Sequence, residues 1–395
     1  MNPLEITSRE TVASKFARAR SLFPHTSSVV YFNSASYGPL ATTIKTAIDQ
    51  NMDLRIAADR DDTHYAFATA DELRSDYAEL IGAEKQEIGV GLSTTFGINI
   101  AAFGLPLEPG DEVLVLDRDF PVNVYCWRAA AETRGIVLKF IPSRDRHFDI
   151  DEFLKAITSR TKVLTVSFVS FFNGYKNDLV TLGKICRERG IFFVVDGIQG
   201  VGAETINVRE ANVDIFACGC QKWMLSPQGC GFFFISDRVR PKMKLPFGTW
   251  LGVEWEVKFT DLFHYDKPWF DSARRFEMGY YAIWNILGMK EAMKIFQMLG
   301  TENIQRHNHA LIDRLVAYLR SNSLYAITSS LEEKHRSSIF TFSGPEIAKL
   351  HRFILDQKII LVQREGSIRV SAHLFNNEDD IDKLIDVLDR YSKNA

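Results

Sequence analysis

Val194-Val195-Asp196-Gly197-Ile198-Gln199 and, further on, Asp214-Ile215-Phe216-Ala217-Cys218-Gly219-Cys220-Gln221-Lys222-Trp223 decide how this chain reads. An acid closes one apolar run, and a lysine follows a second apolar run twenty-six residues later. If the runs are neighbouring strands, carboxylate and amine end in the same region of a sheet. Taken singly, each residue has an ordinary explanation. Aspartate at a strand end commonly forms a turn or caps the next helix, and lysine after a strand is usually solvated. The apolar flanks on both sides shift the balance, because desolvation disfavours an ammonium ion. A neutral amine is what Schiff-base chemistry requires.

Outward from this stretch, short β-rich runs alternate with helical patterns, the signature of βαβ units and a largely parallel sheet. The expected strands are Glu87–Gly91, Glu112–Leu116, Val137–Ile141, Val163–Phe168, Phe192–Asp196, Ile215–Cys218 and Gly231–Ile235. Helical patterns between them include Asp71–Ile81, Gly97–Phe103, Val124–Thr133, Glu152–Ala156 and Leu179–Arg189, with one long helix over Leu40–Arg60 upstream. After about Phe263 two long amphipathic helices, Ile283–Met298 and Asn303–Arg320, precede short strands such as Ser338–Phe342 and Ile368–Ser371. This predicts an α/β protein with a seven-stranded, mostly parallel sheet between helices and a smaller α+β domain. The expected division is 1–30, a segment packing with the small domain, then 31–265 and 266–395.

At 395 residues the chain can bury two cores. A formal charge of −3 gives no electrostatic case for nucleic acid or an anionic membrane. The start, Met1-Asn2-Pro3-Leu4-Glu5-Ile6, lacks a basic region followed by an apolar one, so a cytoplasmic location is expected. Five cysteines form neither a disulfide framework nor a metal-binding pattern.

An acid and an amine so placed suit pyridoxal phosphate, whose ring nitrogen needs an anion and whose aldehyde needs an amine. The rest of the sequence offers partners for the other parts of such a group. Gly91-Leu92-Ser93-Thr94-Thr95-Phe96-Gly97 reads as strand, hydroxyl-rich turn and helix start, a place for phosphate, although a plain Ser/Thr N-cap explains it too. Phe120, in Asp119-Phe120-Pro121, follows a strand and offers an aromatic face, with core packing as the competing explanation. Arg369, in Ile368-Arg369-Val370-Ser371, places a guanidinium inside an apolar strand, suited to a substrate carboxylate or to a structural salt bridge.

The combination resembles the class V aminotransferase family of fold-type I pyridoxal-phosphate enzymes, which includes cysteine desulfurases, selenocysteine lyases and isopenicillin N epimerase-like proteins. The resemblance runs from Tyr31-Phe32-Asn33-Ser34-Ala35-Ser36 through the Thr94-Thr95 turn, Asp196-Gly197-Ile198-Gln199 and Gln221-Lys222-Trp223 to Phe276-Glu277-Met278-Gly279 and Arg369. It implies that Lys222 forms the covalent link to the cofactor and carries protons. It implies further that Asp196 pairs with the ring nitrogen, Gln199 with the phenolic oxygen, and Thr94, Thr95 and Gln221 with the phosphate. Phe120 then covers the ring, Tyr280 reaches the phosphate of a neighbouring subunit, and Ser36 and Arg369 border the substrate. A homodimer with shared sites acting on an amino acid, with no metal, is the family expectation.

Departures from the family pattern bear on the reaction. Desulfurases carry a nucleophilic cysteine on a mobile loop before the carboxylate arginine; here Gln363-Arg364-Glu365-Gly366-Ser367 is short, and no cysteine follows Cys230. Gln221 stands where a phosphate-binding histidine is usual, Gly219 where a serine is common, and Phe171-Phe172 where an asparagine is frequent. A class V aminotransferase is therefore the leading reading, with a β-lyase or an epimerase as alternatives. A nucleotide-binding dehydrogenase is disfavoured because no G-x-G-x-x-G follows a strand, and a silent cofactor-binding protein because lysine, aspartate and arginine are all present.

Overall fold

The computed structural model describes residues 10–59, 62–144, 147–254 and 263–393. Seven runs rich in branched and aromatic side chains form the large sheet: β1 (Ile88–Gly91), β2 (Glu112–Leu116), β3 (Val137–Ile141), β4 (Thr161–Ser167), β5 (Phe192–Asp196), β6 (Ile215–Gly219) and β7 (Gly231–Ile235). Their order across the sheet is β1-β7-β6-β5-β4-β2-β3. All pairings from β6 to β3 are parallel, whereas β7 runs antiparallel to both β6 and β1. The cause lies in the connections. Parallel neighbours need a crossover of a dozen or more residues, usually a helix. The link from β6 to β7 carries no helix, so the chain returns antiparallel, and that link bears Lys222.

Helices cover both faces because the buried strands are apolar on both. On one side α4 (Thr94–Gly104) and α5 (Val122–Arg134) pack Ile98, Ala101 and Trp127 on Val113, Val194, Ile215 and Phe233. On the other, the alternate strand residues Leu114, Phe193, Val195 and Phe216 join a larger cluster. That cluster includes α3 (Asp62–Ile81) and α7 (Leu179–Glu188). This period-two division is what places a three-layer core around β5 and β6.

A second sheet, order β10-β11-β9-β8, is antiparallel and built from β8 (Ala326–Ile327), β9 (Ile339–Ser343), β10 (Val362–Arg364) and β11 (Ser367–Ser371). Helices α9 (Thr301–Ser321), α10 (Ile347–Asp356) and α11 (Glu378–Ser392) cover it with Leu315, Ile354 and Leu384. The proposed division into 31–265 and 266–395 separates the two sheets, and the apolar core crosses it. Helix α8 (Ile283–Leu299) buries Ile286 and Met293 in the large cluster. Val30 and Phe32 join the small one, where Val30–Tyr31 pairs in parallel with Ile359–Ile360. In the N-terminal segment, α1 (Val12–Ser21) stacks Phe16 on His307 of α9, 4.2 Å between centroids, and joins Arg20 to Asp380 of α11. Among the described residues no helix is long and apolar enough to cross a membrane.

Candidate active site

The strand order reverses between β4 and β2, and in open α/β sheets ligands sit at the carboxyl ends of the strands beside such a switch point. Asp119, just past β2, bridges the gap. Its carboxylate accepts from the Ser167 N–H at 2.9 Å, the Ser167 hydroxyl at 2.5 Å and Asn123 Nδ2 at 3.2 Å. One strand over, Asp196 closes β5 with 1 % of its surface exposed. Its Oδ1 accepts the Ile198 N–H at 2.9 Å, while the buried Oδ2 has no partner. Burial pushes its pKa up to about 7; Asp119 adds to the rise, and the Ile198 N–H and Lys222 oppose it.

Lys222 lies beyond the next strand, and burial draws its pKa down to about 8. The Asp196 carboxylate opposes that fall, whereas the charges of Arg369 and Arg364 deepen it. The amine is 5.3 Å from the centroid of the Phe120 ring, which meets Phe171 edge-to-face at 5.3 Å. The peptide around Lys222 is held from the N-terminal segment. Gly38 N–H donates to the Gln221 carbonyl at 2.9 Å, and a Cβ at Gly38 would lie 2.1 Å from the Lys222 carbonyl oxygen, so only glycine fits there.

Helix α4 begins at the same edge. Ser93 caps it, accepting the Phe96 N–H at 3.3 Å, so the cap falls on Ser93 and not on either threonine. Thr94 is buried, and its hydroxyl accepts the Gly219 N–H at 2.9 Å, tying the helix start to the end of β6. Thr95 is exposed in the first turn, where the helix N-terminus favours an anion. A Cβ on Gly219 would approach the side-chain end of Gln221, Oε1, to 2.6 Å and the Thr94 nitrogen to 3.4 Å.

Arg369 enters from the small sheet with 2 % exposure. It donates to the Phe171 carbonyl at 2.5 Å and to the Ser36 hydroxyl at 2.6 Å, and its Nε has no partner. Burial and Arg364 bring its pKa down to about 9. The competing salt bridge of the sequence reading is not what is found, because its protein partners are a carbonyl and a hydroxyl. Gln199 is committed on both sides, accepting from Trp223 Nε1 at 3.0 Å and donating to the Ala35 carbonyl at 3.1 Å. Its second amide hydrogen is the one left for a ligand. Tyr280 stands apart from this group, half exposed against Phe67 and Trp250. Glu277, in the motif before it, is fully buried and accepts from Arg74 Nε at 2.8 Å, Arg74 Nη2 at 2.7 Å and the Val90 N–H at 2.8 Å, fastening β1 to α3.

Several members of the site carry no sequence signal. The Phe171 carbonyl is a backbone group. His373, fully buried and held near a pKa of about 3 by desolvation, hydrogen-bonds the Trp223 carbonyl at 2.7 Å. Asp119 and Ser167 are recognisable only once β2 and β4 are known to be neighbours. The segment Gln363–Ser367 proves to be a two-residue hairpin, Glu365 and Gly366 both turning with positive φ of 45° and 78°. All five cysteines are buried and free.

Among the described residues no group of three or more His, Cys, Asp or Glu could hold a metal ion. A buried carboxylate with one oxygen unpartnered, an aromatic face, a helix N-terminus and a guanidinium fit pyridoxal phosphate with an amino acid. Comparison with known proteins agrees. The family model Aminotransferase class-V matches residues 30–384. An uncharacterized aminotransferase of Schizosaccharomyces pombe is 26 % identical, the match covering 94 % of this chain and 94 % of that protein. Among solved structures, the apo cysteine desulfurase of Thermococcus onnurineus superposes with a TM-score of 0.83 at 22 % identity, over 95 % of this chain and 98 % of that one. A mutant of C-DES with glycine covalently linked to its PLP cofactor gives 0.85 at 20 % identity, over 93 % and 98 %.

Proposed function

Because the chain belongs to the aminotransferase class-V family, whose members are fold-type I pyridoxal-phosphate enzymes, we propose that it acts at the Cα of an amino acid through Lys222, as an aminotransferase. The observation that carries this is the buried, partnerless Asp196 Oδ2 on the strand beside the one that leads to Lys222. Bound pyridoxal phosphate supplies an aldehyde for the amino group and a ring that withdraws electrons from Cα. Asp196 holds a proton at the ring nitrogen, where its carboxylate gains the cation it lacks. Thr95, Gln221 and the first turn of α4 would hold the phosphate, Phe120 would cover the ring, and the amide hydrogen of Gln199 not given to Ala35 would be available to the phenolic oxygen. Arg369, oriented by Ser36 and the Phe171 carbonyl, grips the substrate carboxylate. Lys222, depressed towards neutrality, takes the Cα proton of the substrate.

The two-residue Glu365–Gly366 turn, without a cysteine, favours transamination over persulfide chemistry; β-elimination and epimerisation use the same first proton transfer and are separated by their products. Borohydride reduction of the holoenzyme followed by peptide mapping should leave the cofactor on Lys222. A stable adduct on any other lysine would sink the assignment. We further propose a cytoplasmic homodimer. Exposed Trp250 and Tyr280 stack on each other, 6.3 Å between centroids, an aromatic surface of the kind buried between subunits, and sedimentation of a cofactor-loaded monomer at micromolar concentration would refute the dimer.

A further inference from the structure

Arg364 and Arg369 stand on the same face of the small sheet. In the β10–β11 pairing Val362 lies opposite Arg369 and Arg364 opposite Ser367, so the two arginines are diagonal neighbours, about 7–8 Å apart at the backbone. Both bear on one amine, since each of their charges lowers the pKa of Lys222. Arg364 also bears on Arg369, and the Tyr31 phenol is the group that opposes it there. The hydroxyls beside them are engaged with one another: Thr328 Oγ1 is 2.8 Å from Thr341 Oγ1 and 3.0 Å from Ser367 Oγ. Arg364 itself is exposed at the rim, and among the described residues it forms no ion pair with a carboxylate.

A single carboxylate satisfies one guanidinium in a bidentate pair. A substrate with one acid group would neutralise Arg369 and leave Arg364, its diagonal neighbour on the same face, with no anion. We propose that the amino-acid substrate carries a second acidic group on its side chain, as a dicarboxylic amino acid or the matching 2-keto acid, and that Arg364 is the residue that recognises it. This rests on the assignment of Arg369 to the α-carboxylate made above.

Glutarate, which has two carboxylates and no amino group to react, isolates the recognition step. Holoenzyme is titrated by calorimetry with glutarate and with butyrate, as wild type, Arg364→Gln and Arg364→Lys. Glutarate should bind at least tenfold more tightly than butyrate. Arg364→Gln should abolish that preference and leave butyrate within twofold, and Arg364→Lys should keep part of it. Equal affinity for the two acids in the wild type, or a preference intact in Arg364→Gln, overturns the proposal. Absorbance of the lysine-bound cofactor is read in the same samples. Its absence defeats the proposed function and this inference with it, whereas its presence without a glutarate preference defeats this inference alone.

Discussion

Asp196 closes one strand and Lys222 follows the end of the adjoining one, twenty-six residues apart, whereas Arg369 meets the Phe171 carbonyl and Ser36 across sequence separations of 198 and 333 residues. In the function proposed above, the first group is a floor beneath the reacting atoms and the second a wall that takes the substrate's acid. Each contains one buried polar atom with no protein partner, Asp196 Oδ2 below and Arg369 Nε beside. The pKa values are displaced in the sense that burial dictates, up for the acid and down for the two cations. A ligand carrying a cation low and an anion high would relieve both at once. The floor should therefore govern chemistry, and the wall should govern affinity.

The largest effect is expected on the floor. Asp196→Asn keeps the shape and removes the anion, and kcat should fall by about 10²–10³-fold, the scale of losing one fixed electrostatic partner. The same variant tests the pKa. In the cofactor-free protein the folded pKa of about 7 lies above the ordinary value of about 3.9. Below the ordinary value both states are protonated and the group contributes nothing. As pH rises from there towards 7, the unfolded chain releases the proton first, so stability falls across that window. Thermal denaturation of cofactor-free wild type should show this decline, and Asp196→Asn should flatten it; parallel profiles would refute the assignment of the shift.

A smaller effect, of a different kind, belongs to the wall. Arg369→Lys retains the charge but loses the planar fork that reaches Ser36, Phe171 and a carboxylate together. KM should rise by roughly 10–100-fold with kcat changed less, corresponding to about 1.5–3 kcal/mol for a hydrogen bond to a charged group. If instead kcat collapses at unchanged KM, the separation of floor from wall is mistaken.

Much of the floor was legible because strand ends are local features. Glu112–Leu116, Phe192–Asp196 and Gly231–Ile235 lie where expected, each a short run of branched or aromatic residues closed by a turn signal. Helix bounds were less legible. The helix expected over Asp71–Ile81 begins at Asp62, and the one expected over Leu40–Arg60 covers Thr42–Ile56, ending in αR backbone at Ala57 with no glycine or proline to mark it. The antiparallel β7 could not be read from its composition, because a fully buried strand looks the same in either direction; only the short helix-free link after β6 encodes it. In the wall, Arg369 and Ser36 were recognisable as residues, but their meeting was not. The Phe171 carbonyl, present at every position of any chain, leaves no mark at all.

The hairpin between β10 and β11 turns in two residues and fixes Arg364 and Arg369 on one ordered ribbon. Immobilising backbone costs roughly 1–2 kcal/mol per residue in lost conformational entropy. A long rim would have to be frozen each time a substrate arrives, and the affinity observed would be what survived that ordering. A two-residue turn leaves little chain to order, so the temperature dependence of substrate binding should carry no signature of a chain segment condensing onto the ligand.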